Sequence, residues 1–299
     1  MKSARNKLLI IAAYITVCLV WGSTYLAIRV GVAEIPPFLF AGLRHLIAGF
    51  LLALICALTG RHFPRGWRAY RDQGLVGLLL LCIGNGLLVW AEQWVTSGVA
   101  ALILATVPIF TACIVAMLPN GRRVGVLGWL GLLLGFAGVA LLIQPFAPLG
   151  GHWLLGASTL ILASFAWAAG SVYAQRHPVQ ADLLPGISLQ MLTGGLAISL
   201  VAILAGQATE FHPTLPGLAA LAYLIVFGSL IAFSAYGYLL RHITAAKAST
   251  YGYINPLVAV ILGALLLDEH ISVRILLALP LILSGVILVQ AARAKPGAG

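Results

Sequence analysis

The sequence reads Trp21-Gly22-Ser23-Thr24-Tyr25 near its start, and 146 positions later it reads Trp167-Ala168-Ala169-Gly170-Ser171-Val172-Tyr173. Further stretches recur at nearly the same spacing. They are Arg29 with Arg176, Thr106-Val107-Pro108 with Ile254-Asn255-Pro256, and Gly138-Val139-Ala140-Leu141-Leu142 with Gly285-Val286-Ile287-Leu288-Val289. The offset of 146 to 148 positions hardly drifts along the chain, which indicates an internal duplication.

The composition places both copies in a membrane. Hydrophobic residues make up 62% of the 299 residues and charged residues only 8%, whereas a soluble domain carries about 25% charged residues. A helix needs about 20 residues to cross the hydrocarbon core, and runs of that length that are apolar on all sides predict helices rather than strands. Ten such segments are predicted: 8–30, 37–58, 74–95, 98–118, 124–143, 152–174, 185–205, 216–240, 245–267 and 271–292.

The sequence therefore predicts an all-α integral membrane protein with two repeats, over 8–143 and 152–292, of five transmembrane helices each. Because five is odd, the second repeat enters the membrane from the opposite side and is inverted relative to the first. Inverted repeats are typical of secondary transporters, whose solute site lies near the midplane between the two halves.

Lysine and arginine predict the orientation. With the N-terminus in the cytoplasm, fourteen basic residues fall on the inner side and only Arg29 and Arg274 on the outer side, so both termini are predicted to be cytoplasmic. These basic residues lie in short loops between apolar runs rather than on one patch, which excludes nucleic acid as a partner. The fourteen are Lys2, Arg5, Lys7, Arg61, Arg65, Arg68, Arg71, Arg122, Arg123, Arg176, Arg241, Lys247, Arg293 and Lys295.

Two prolines and two asparagines fall near the middle of predicted helices. Asn85 lies in the third helix, Pro108 in the fourth, and Asn255-Pro256 in the ninth. A proline inside a helix frees a backbone carbonyl and bends the helix, which a membrane helix tolerates where protein or water satisfies that group. The asparagines are predicted to contact a polar solute, and hydrogen bonding between helices is an equally good alternative. The prolines are predicted to bend the fourth and ninth helices as the gate changes sides.

Aromatic residues add a second set of candidates. Trp21 and Tyr25 share one face of the first helix, as Trp167 and Ser171 do in the sixth helix. Membrane tryptophans usually lie at the interfaces, and these two lie deeper, so they are predicted to line a solute cavity, with packing between helices as the alternative. Tyr253, near the proline of the ninth helix, is the best candidate among the tyrosines of the second repeat.

Charges inside the predicted helices are few. Arg44 and His45 lie in the second helix, and Glu92 lies near the outer end of the third. An ionisable residue within a membrane helix usually faces the protein interior and serves function. Arg44 is predicted to face the interior, with a direct pair to Glu92 left open against snorkelling of both side chains. Glu92 is the predicted proton carrier if transport is coupled, with His45 second. In the duplication, Arg44 aligns with Leu192, and Glu92 has no acidic counterpart.

Enzyme chemistry has no support in the sequence. It contains no P-loop, no His-Glu-x-x-His motif, no paired carboxylates and no cluster with metal-ligand spacing. We therefore expect no enzyme, no cofactor and no metal, and the sequence carries no indication of oligomeric state.

Several stretches together resemble the EamA family of the drug/metabolite transporter superfamily. The resemblance covers nearly the whole chain and includes the acidic end of the ninth helix, Leu267-Asp268-Glu269. The other matching stretches are Trp21 to Tyr25, Ile35 to Arg44, Gly84-Asn85-Gly86, Ala91-Glu92-Gln93, Ser97 to Pro108, Gly170 to Tyr173, Gln190-Met191-Leu192 and Tyr253 to Pro256.

This resemblance implies ten helices, a central cavity between the halves, alternating access and export of small metabolites, among which amino acids are prominent. We therefore expect an inner-membrane exporter of an amino acid or a related amphipathic or aromatic compound. The alternatives are an uncoupled facilitator, a flippase for a lipid-linked intermediate, or, from another class, a receptor or assembly subunit that does not transport. The predicted solute contacts are Trp21, Tyr25, Arg44, His45, Asn85, Trp167, Ser171, Tyr253 and Asn255, and the predicted coupling or gating residues are Glu92, Pro108 and Pro256.

Overall fold

The computed structural model describes residues 2–119, 125–143, 151–178, 182–212, 214–266 and 272–291, and these ranges contain helices and no strands. Ten long helices follow one another in the order that the sequence predicts. They are α1 (Lys2–Glu34), α2 (Pro37–Leu58), α3 (Trp67–Ala91), α4 (Ser97–Met117), α5 (Val126–Ile143), α6 (Gly151–Arg176), α7 (Leu183–Leu204), α8 (Leu215–His242), α9 (Ala245–Leu266) and α10 (Val273–Ala291).

The prediction of a ten-helix membrane protein is confirmed. Eight of the described helices are long and apolar enough to cross a membrane, and the other two, α5 and α10, contain the shorter apolar stretches Val126–Gly138 and Val273–Gly285. The chain is thus a multi-pass membrane protein. Some residues used in the sequence predictions lie outside the described ranges: Arg122, Arg123, Leu267, Asp268, Glu269, Arg293 and Lys295.

Helix packing follows the duplication. Helix α2 packs on its repeat counterpart α7, and α5 packs on α10. Helix α1 packs against α8 and α9, and its counterpart α6 packs against α3 and α4. Each contact therefore has a partner in the other half, as two inverted repeats related by a pseudo-two-fold axis require. The same arrangement places α1, α3, α4, α6, α8 and α9 around the centre of the bundle.

Small residues set the register between α2 and α7. A Cβ atom added to Gly49 would lie 2.9 Å from the backbone nitrogen of Leu192, and one added to Gly195 would lie 2.7 Å from the backbone nitrogen of Leu46. Such close approach is what small residues allow between membrane helices. The two contacts are symmetry-related, because Gly195 lies 146 positions after Gly49 and Leu192 lies 146 positions after Leu46. An offset of 146 therefore relates α2 to α7.

This register corrects the predicted pairing of Arg44. A shift of 146 positions places Gln190, not Leu192, as the counterpart of Arg44. The pairing of Arg44 with Leu192 rests on an offset of 148, which applies to Pro108 and Pro256 in α4 and α9. Between α2 and α4 the first repeat is two residues shorter than the matching part of the second, so that offset does not apply to α2 and α7. Both side chains are buried at their helix crossings, with 4% of Arg44 and 8% of Gln190 exposed.

The end of the bundle that carries loop 59–66 and Arg176 holds most of the described basic residues, and we term it the arginine-rich end. The two repeats meet there, since the backbone N–H of His62 donates to Asp182 Oδ2 at 3.0 Å. That hydrogen bond holds the pKa of the Asp182 carboxyl below its usual range. The contact joins the loop before α3 to the start of α7.

Candidate functional site

A central cavity lies between the two halves of the bundle. It encloses about 640 Å³ of space free of protein atoms, counting its opening. Helices from both repeats supply its walls. The predicted residues that line it are Trp21, Tyr25, Arg44, His45, Asn85, Trp167 and Asn255.

Trp21 lies at the centre of an aromatic cluster at one wall of this cavity and contacts the other four rings of the cluster. Its ring centroid lies 5.3 Å from that of Trp167 in an edge-on arrangement, and 5.0 Å from those of Tyr236 and Tyr251. Phe233 lies 6.5 Å away. The Trp21 indole N–H donates to the Gly228 carbonyl at 3.1 Å, which fixes the ring between α1 and α8. Rings in these geometries offer apolar faces to a flat or partly apolar solute.

Arg44 is buried and faces the cavity, as the sequence predicts. Its Nε–H donates to Ser229 Oγ at 2.9 Å, while Nη1 has no hydrogen-bond partner among the described residues. Gly228 makes room for the guanidinium, since a Cβ there would lie 2.8 Å from Nη2. The ion pairs in the described part of the chain, His62–Asp182 and Arg71–Asp72, do not include Arg44. Among the residues that the structure describes, no carboxylate therefore forms an ion pair with Arg44 at the cavity.

His45 and Asn85 form a second polar pair. The His45 Nε2 and Asn85 Oδ1 atoms are 2.9 Å apart, so the imidazole carries its proton on Nε2 and donates to the amide oxygen. Both side chains are buried. This contact ties α2 to α3 at the cavity wall, which is the helix-joining role considered for Asn85, and the Asn85 amide also lines the cavity.

Asn255 joins α9 to α1. In the amide orientation that satisfies its neighbours, its nitrogen donates to the carbonyls of Cys18 and Tyr251 at 3.0 and 3.2 Å. Asn255 also lines the cavity, so it has both the structural contact and the access to a solute that the sequence left as alternatives.

Helices α4 and α9 are broken at the cavity. Helix α4 divides into Ser97–Leu104 and Val107–Met117, and the second part of α9 is Asn255–Leu266. Pro108 and Pro256 are each the second residue of the new segment, where proline is well tolerated because the first N–H groups of a helix have no internal partner. The predicted proline bends thus lie where the regular α-helix is interrupted, and the backbone remains helical at Thr106 and Ile254.

These breaks bring positive helix ends to the cavity. Val107 and Asn255, the first residues of the two new segments, both line it. Free backbone N–H groups and the helix dipole favour an anion at such a position. Broken helices whose N-termini face a carboxylate are a recurrent device of transporters with inverted repeats.

Helices α3 and α8 change winding at the same depth in the two repeats. Each contains a π-helical segment, Leu78–Asn85 in α3 and Leu224–Phe233 in α8. Such segments often occur at functional sites. They place Asn85, Gly228 and Ser229 at the cavity. Helical periodicity does not reveal this change, because the residues remain apolar throughout.

The structure adds lining residues that sequence reasoning missed. Thr24 and Tyr251 lie close to residues already singled out, whereas Ser229 and Phe233 lie in the apolar run of α8, whose pattern does not reveal the π-helical segment. Thr24 and Ser229 contribute hydroxyls, and Phe233 and Tyr251 contribute rings.

Other predicted residues lie behind the cavity wall. Ser171 is fully buried and its hydroxyl is 2.7 Å from that of Tyr236. Tyr253 is partly buried against the core. Glu92 is fully buried at the end of α3, and its backbone carbonyl accepts a hydrogen bond from Arg29. These three residues are not in the cavity lining.

The match to known families covers both repeats. The EamA-like transporter family matches residues 8–144 and again residues 154–291. The chain belongs to this family. It is therefore a membrane transporter of the drug/metabolite transporter superfamily, as its resemblance implied.

Relatives of this EamA protein extend over nearly all of the chain. It is 40% identical over 286 residues to an inner membrane transporter of Escherichia coli (strain K12), YedA, covering 95% of this chain and 92% of YedA. It is 26% identical to a transporter of Bacillus subtilis, YvbV, covering 91% of this chain and 88% of YvbV. A crystal structure that is 21% identical shares the fold, with a TM-score of 0.67 over 94% of this chain and 96% of the other.

Proposed function

We propose that this protein is a secondary transporter that exports a small carboxylate-bearing metabolite by alternating access. The observation that carries the proposal is Arg44, a cation that is 96% buried and opens onto the central cavity with Nη1 unpartnered among the described residues. A buried cation is costly without an anion beside it. A carboxylate in the cavity would supply that anion, because guanidinium and carboxylate form strong charge-assisted hydrogen bonds.

The rest of the cavity supports an amphipathic solute. The N-terminal ends at Val107 and Asn255 favour the same negative group, while Trp21, Trp167 and Phe233 offer apolar faces to the remainder of the molecule. An amino acid or a related aromatic acid has this combination. Ser171 and Tyr253 would act on the solute indirectly, through Tyr236 and through the packing of α9.

Proton coupling is a separate part of the proposal. Glu92 is a buried carboxyl within electrostatic reach of the Tyr25 phenol, and Tyr25 lines the cavity. Protonation of Glu92 would thus change the electrostatic potential at Tyr25 and, through Tyr25, at the solute site. An uncoupled facilitator is the alternative, and the position of Glu92 behind the cavity wall favours it.

Orientation and location complete the proposal. The arginine-rich end would face the cytoplasm, because basic loops are retained there, and the 40% identity to YedA, named as an inner membrane transporter, supports the inner membrane. Both termini would then be cytoplasmic.

Transport in reconstituted vesicles tests the proposal. Liposomes containing the protein are preloaded with one unlabelled solute, and counterflow of its radiolabelled form is measured. The panel is each of the standard amino acids, phenylacetate, and choline as a carboxylate-free cation. We expect counterflow of at least one carboxylate-bearing compound and none of the cation. Counterflow of the cation alone, or of nothing in the panel, would overturn it.

A further inference from the structure

A second cavity lies between the central cavity and the arginine-rich end. It encloses about 500 Å³ of space free of protein atoms between α3, α6, α7 and α8. Phe233 lines both cavities, and Tyr236, fully buried beside it, lines the second. The two cavities are therefore separated by little more than this pair of rings and the tryptophans that pack on them.

The polar group of the second cavity is a pair of buried amides. Gln190 Nε2 donates to Gln73 Oε1 at 2.6 Å, and the two side chains are only 8% and 3% exposed. Each primary amide has two N–H donors and an acceptor oxygen, so the pair keeps hydrogen-bonding capacity beyond the bond that it makes. Buried polar groups of this kind are costly in an apolar wall unless they have partners.

The pseudo-two-fold axis relates the Gln190 wall of the second cavity to the Arg44 wall of the central cavity. Gln190 is the counterpart of Arg44 at the 146-residue offset set by the crossing of α2 and α7. The crossing of α2 and α7 thus places a guanidinium at the central cavity and a neutral amide at the second cavity.

A shallow hollow continues the second cavity to the surface. It shares Pro178, Leu240 and Arg241 with the second cavity and adds His242 and Lys247. Basic residues at a mouth raise the local concentration of anions. The hollow, the second cavity and the central cavity together form a path from the arginine-rich end to the aromatic cluster.

We propose that the second cavity is a solute-binding subsite in which the Gln73–Gln190 amides hold the carboxylate of the solute before or after it passes Phe233 and Tyr236. This inference rests on the proposed function, which it extends from one site to two. The amides bind a carboxylate through neutral hydrogen bonds and so more weakly than Arg44 does. Because Arg44 is charged and its counterpart Gln190 is neutral, the solute binds tightly at the central cavity and exchanges easily at the arginine-rich end.

Cysteine labelling tests the subsite independently of transport. The protein is freed of its cysteines at positions 18, 56, 82 and 113, and Ala174→Cys is introduced into the wall of the second cavity. An impermeant reagent, sulfonatoethyl methanethiosulfonate, is added to one side at a time, with Arg65→Cys marking the arginine-rich face. The probe for protection is an equimolar mixture of the standard L-amino acids other than cysteine, whose thiol would itself consume the reagent.

We expect Ala174→Cys to react from the face that labels Arg65→Cys, and the mixture to slow this reaction about tenfold at about ten times the dissociation constant. Gln190→Leu should raise the half-protecting concentration about fivefold, as loss of one hydrogen bond predicts. Gln93→Leu, at the opposite end where Gln93 bonds to the Trp90 carbonyl, is the matched control and should not change it.

Failure of the subsite and failure of the proposed function look different. Counterflow with an unreactive or unprotected Ala174→Cys, or protection unchanged by Gln190→Leu, would show that the amide pair only joins helices and would overturn the subsite. Protection that depends on Gln190 but comes without counterflow would retain the subsite and reject transport.

Discussion

Arg44 shows how one residue can define a site in a membrane protein. Its Nε–H is satisfied by Ser229 and the approach is made possible by Gly228, so both neighbours come from the π-helical segment of α8. Arg44 thus lines the central cavity with its guanidinium buried inside the bundle. Donors fixed in this way lose less entropy on binding than a mobile lysine would.

Replacement of Arg44 tests the carboxylate contact. With Arg44→Gln, we expect the half-saturating concentration of a carboxylate solute in counterflow to rise about 10- to 100-fold, since a hydrogen bond to a charged group contributes about 1.5–3 kcal/mol. Thermal stability should not fall, because the change removes a buried cation that has no ion-pair partner among the described residues. Arg65→Gln, in an exposed loop, is the control. An unchanged half-saturating concentration would contradict the contact.

Replacement of Glu92 tests whether transport is coupled to protons. Glu92→Gln keeps the size of the side chain and removes its titration, so a transporter coupled through this carboxyl should lose all dependence of its rate on an imposed pH gradient. Rates are compared in vesicles with and without that gradient, and Glu34→Gln, at an exposed hydrogen bond to Thr214, is the control. If the variant still responds to the gradient, Glu92 is not the carrier.

At the scale of helices, the breaks in α4 and α9 are the features to perturb. Pro108→Ala or Pro256→Ala supplies an N–H that can bond to the preceding segment and let the helix continue. This should stiffen the break and slow turnover about 2- to 10-fold, as one added backbone hydrogen bond of about 0.5–1.5 kcal/mol predicts. The half-saturating concentration should hardly change. Pro280→Ala is the control, since Pro280 lies within the helix α10. Equal effects of all three changes would reject a gating role.

The contact between α5 and α10 depends on glycine. A Cβ added to Gly285 would collide with the backbone nitrogen of Gly135 and lie 2.5 Å from the Gly131 carbonyl oxygen. Gly285→Ala must therefore separate the helices, and we expect it to destabilise the protein by about 1–3 kcal/mol, as overpacking does. Gly74→Ala is the control, because its Cβ would meet only Thr193 Cγ2, at 3.7 Å. Thermal unfolding in detergent would show equal midpoints if this view is wrong.

The helices themselves could be predicted from the sequence, because twenty apolar residues in lipid have few alternatives. The inward position of Arg44 could be predicted for the same reason. The π-helical segments, and with them Ser229 and Phe233, could not, since a change of winding depends on packing against other helices rather than on the apolar pattern. The pairing of Arg44 with Gln190 was missed because stretches outside α2 and α7 set the offset.

At the scale of the whole molecule, charge asymmetry and repeat symmetry have different roles. The symmetry produces two similar walls, and the charges make them unequal: a guanidinium faces the centre, an amide pair faces the arginine-rich end, and basic loops surround the mouth. A carboxylate solute thus meets weak attraction at the mouth and strong attraction at the centre. Net direction must come from a gradient, because a symmetric cycle alone favours neither side.

Sidedness is the last property to be tested, since export requires the arginine-rich end to face the cytoplasm. We expect Arg65→Cys to react with an impermeant maleimide only in inside-out vesicles. Gln207→Cys should react only in intact spheroplasts, because Gln207 lies at the opposite end, where its side-chain oxygen accepts from the backbone N–H groups of Phe38 and Leu39. The cysteine-free protein is the control for background labelling. The reverse pattern would place the basic loops outside, against the retention of positive charge in the cytoplasm, and would turn the proposed exporter into an importer that receives its solute at the arginine-rich mouth.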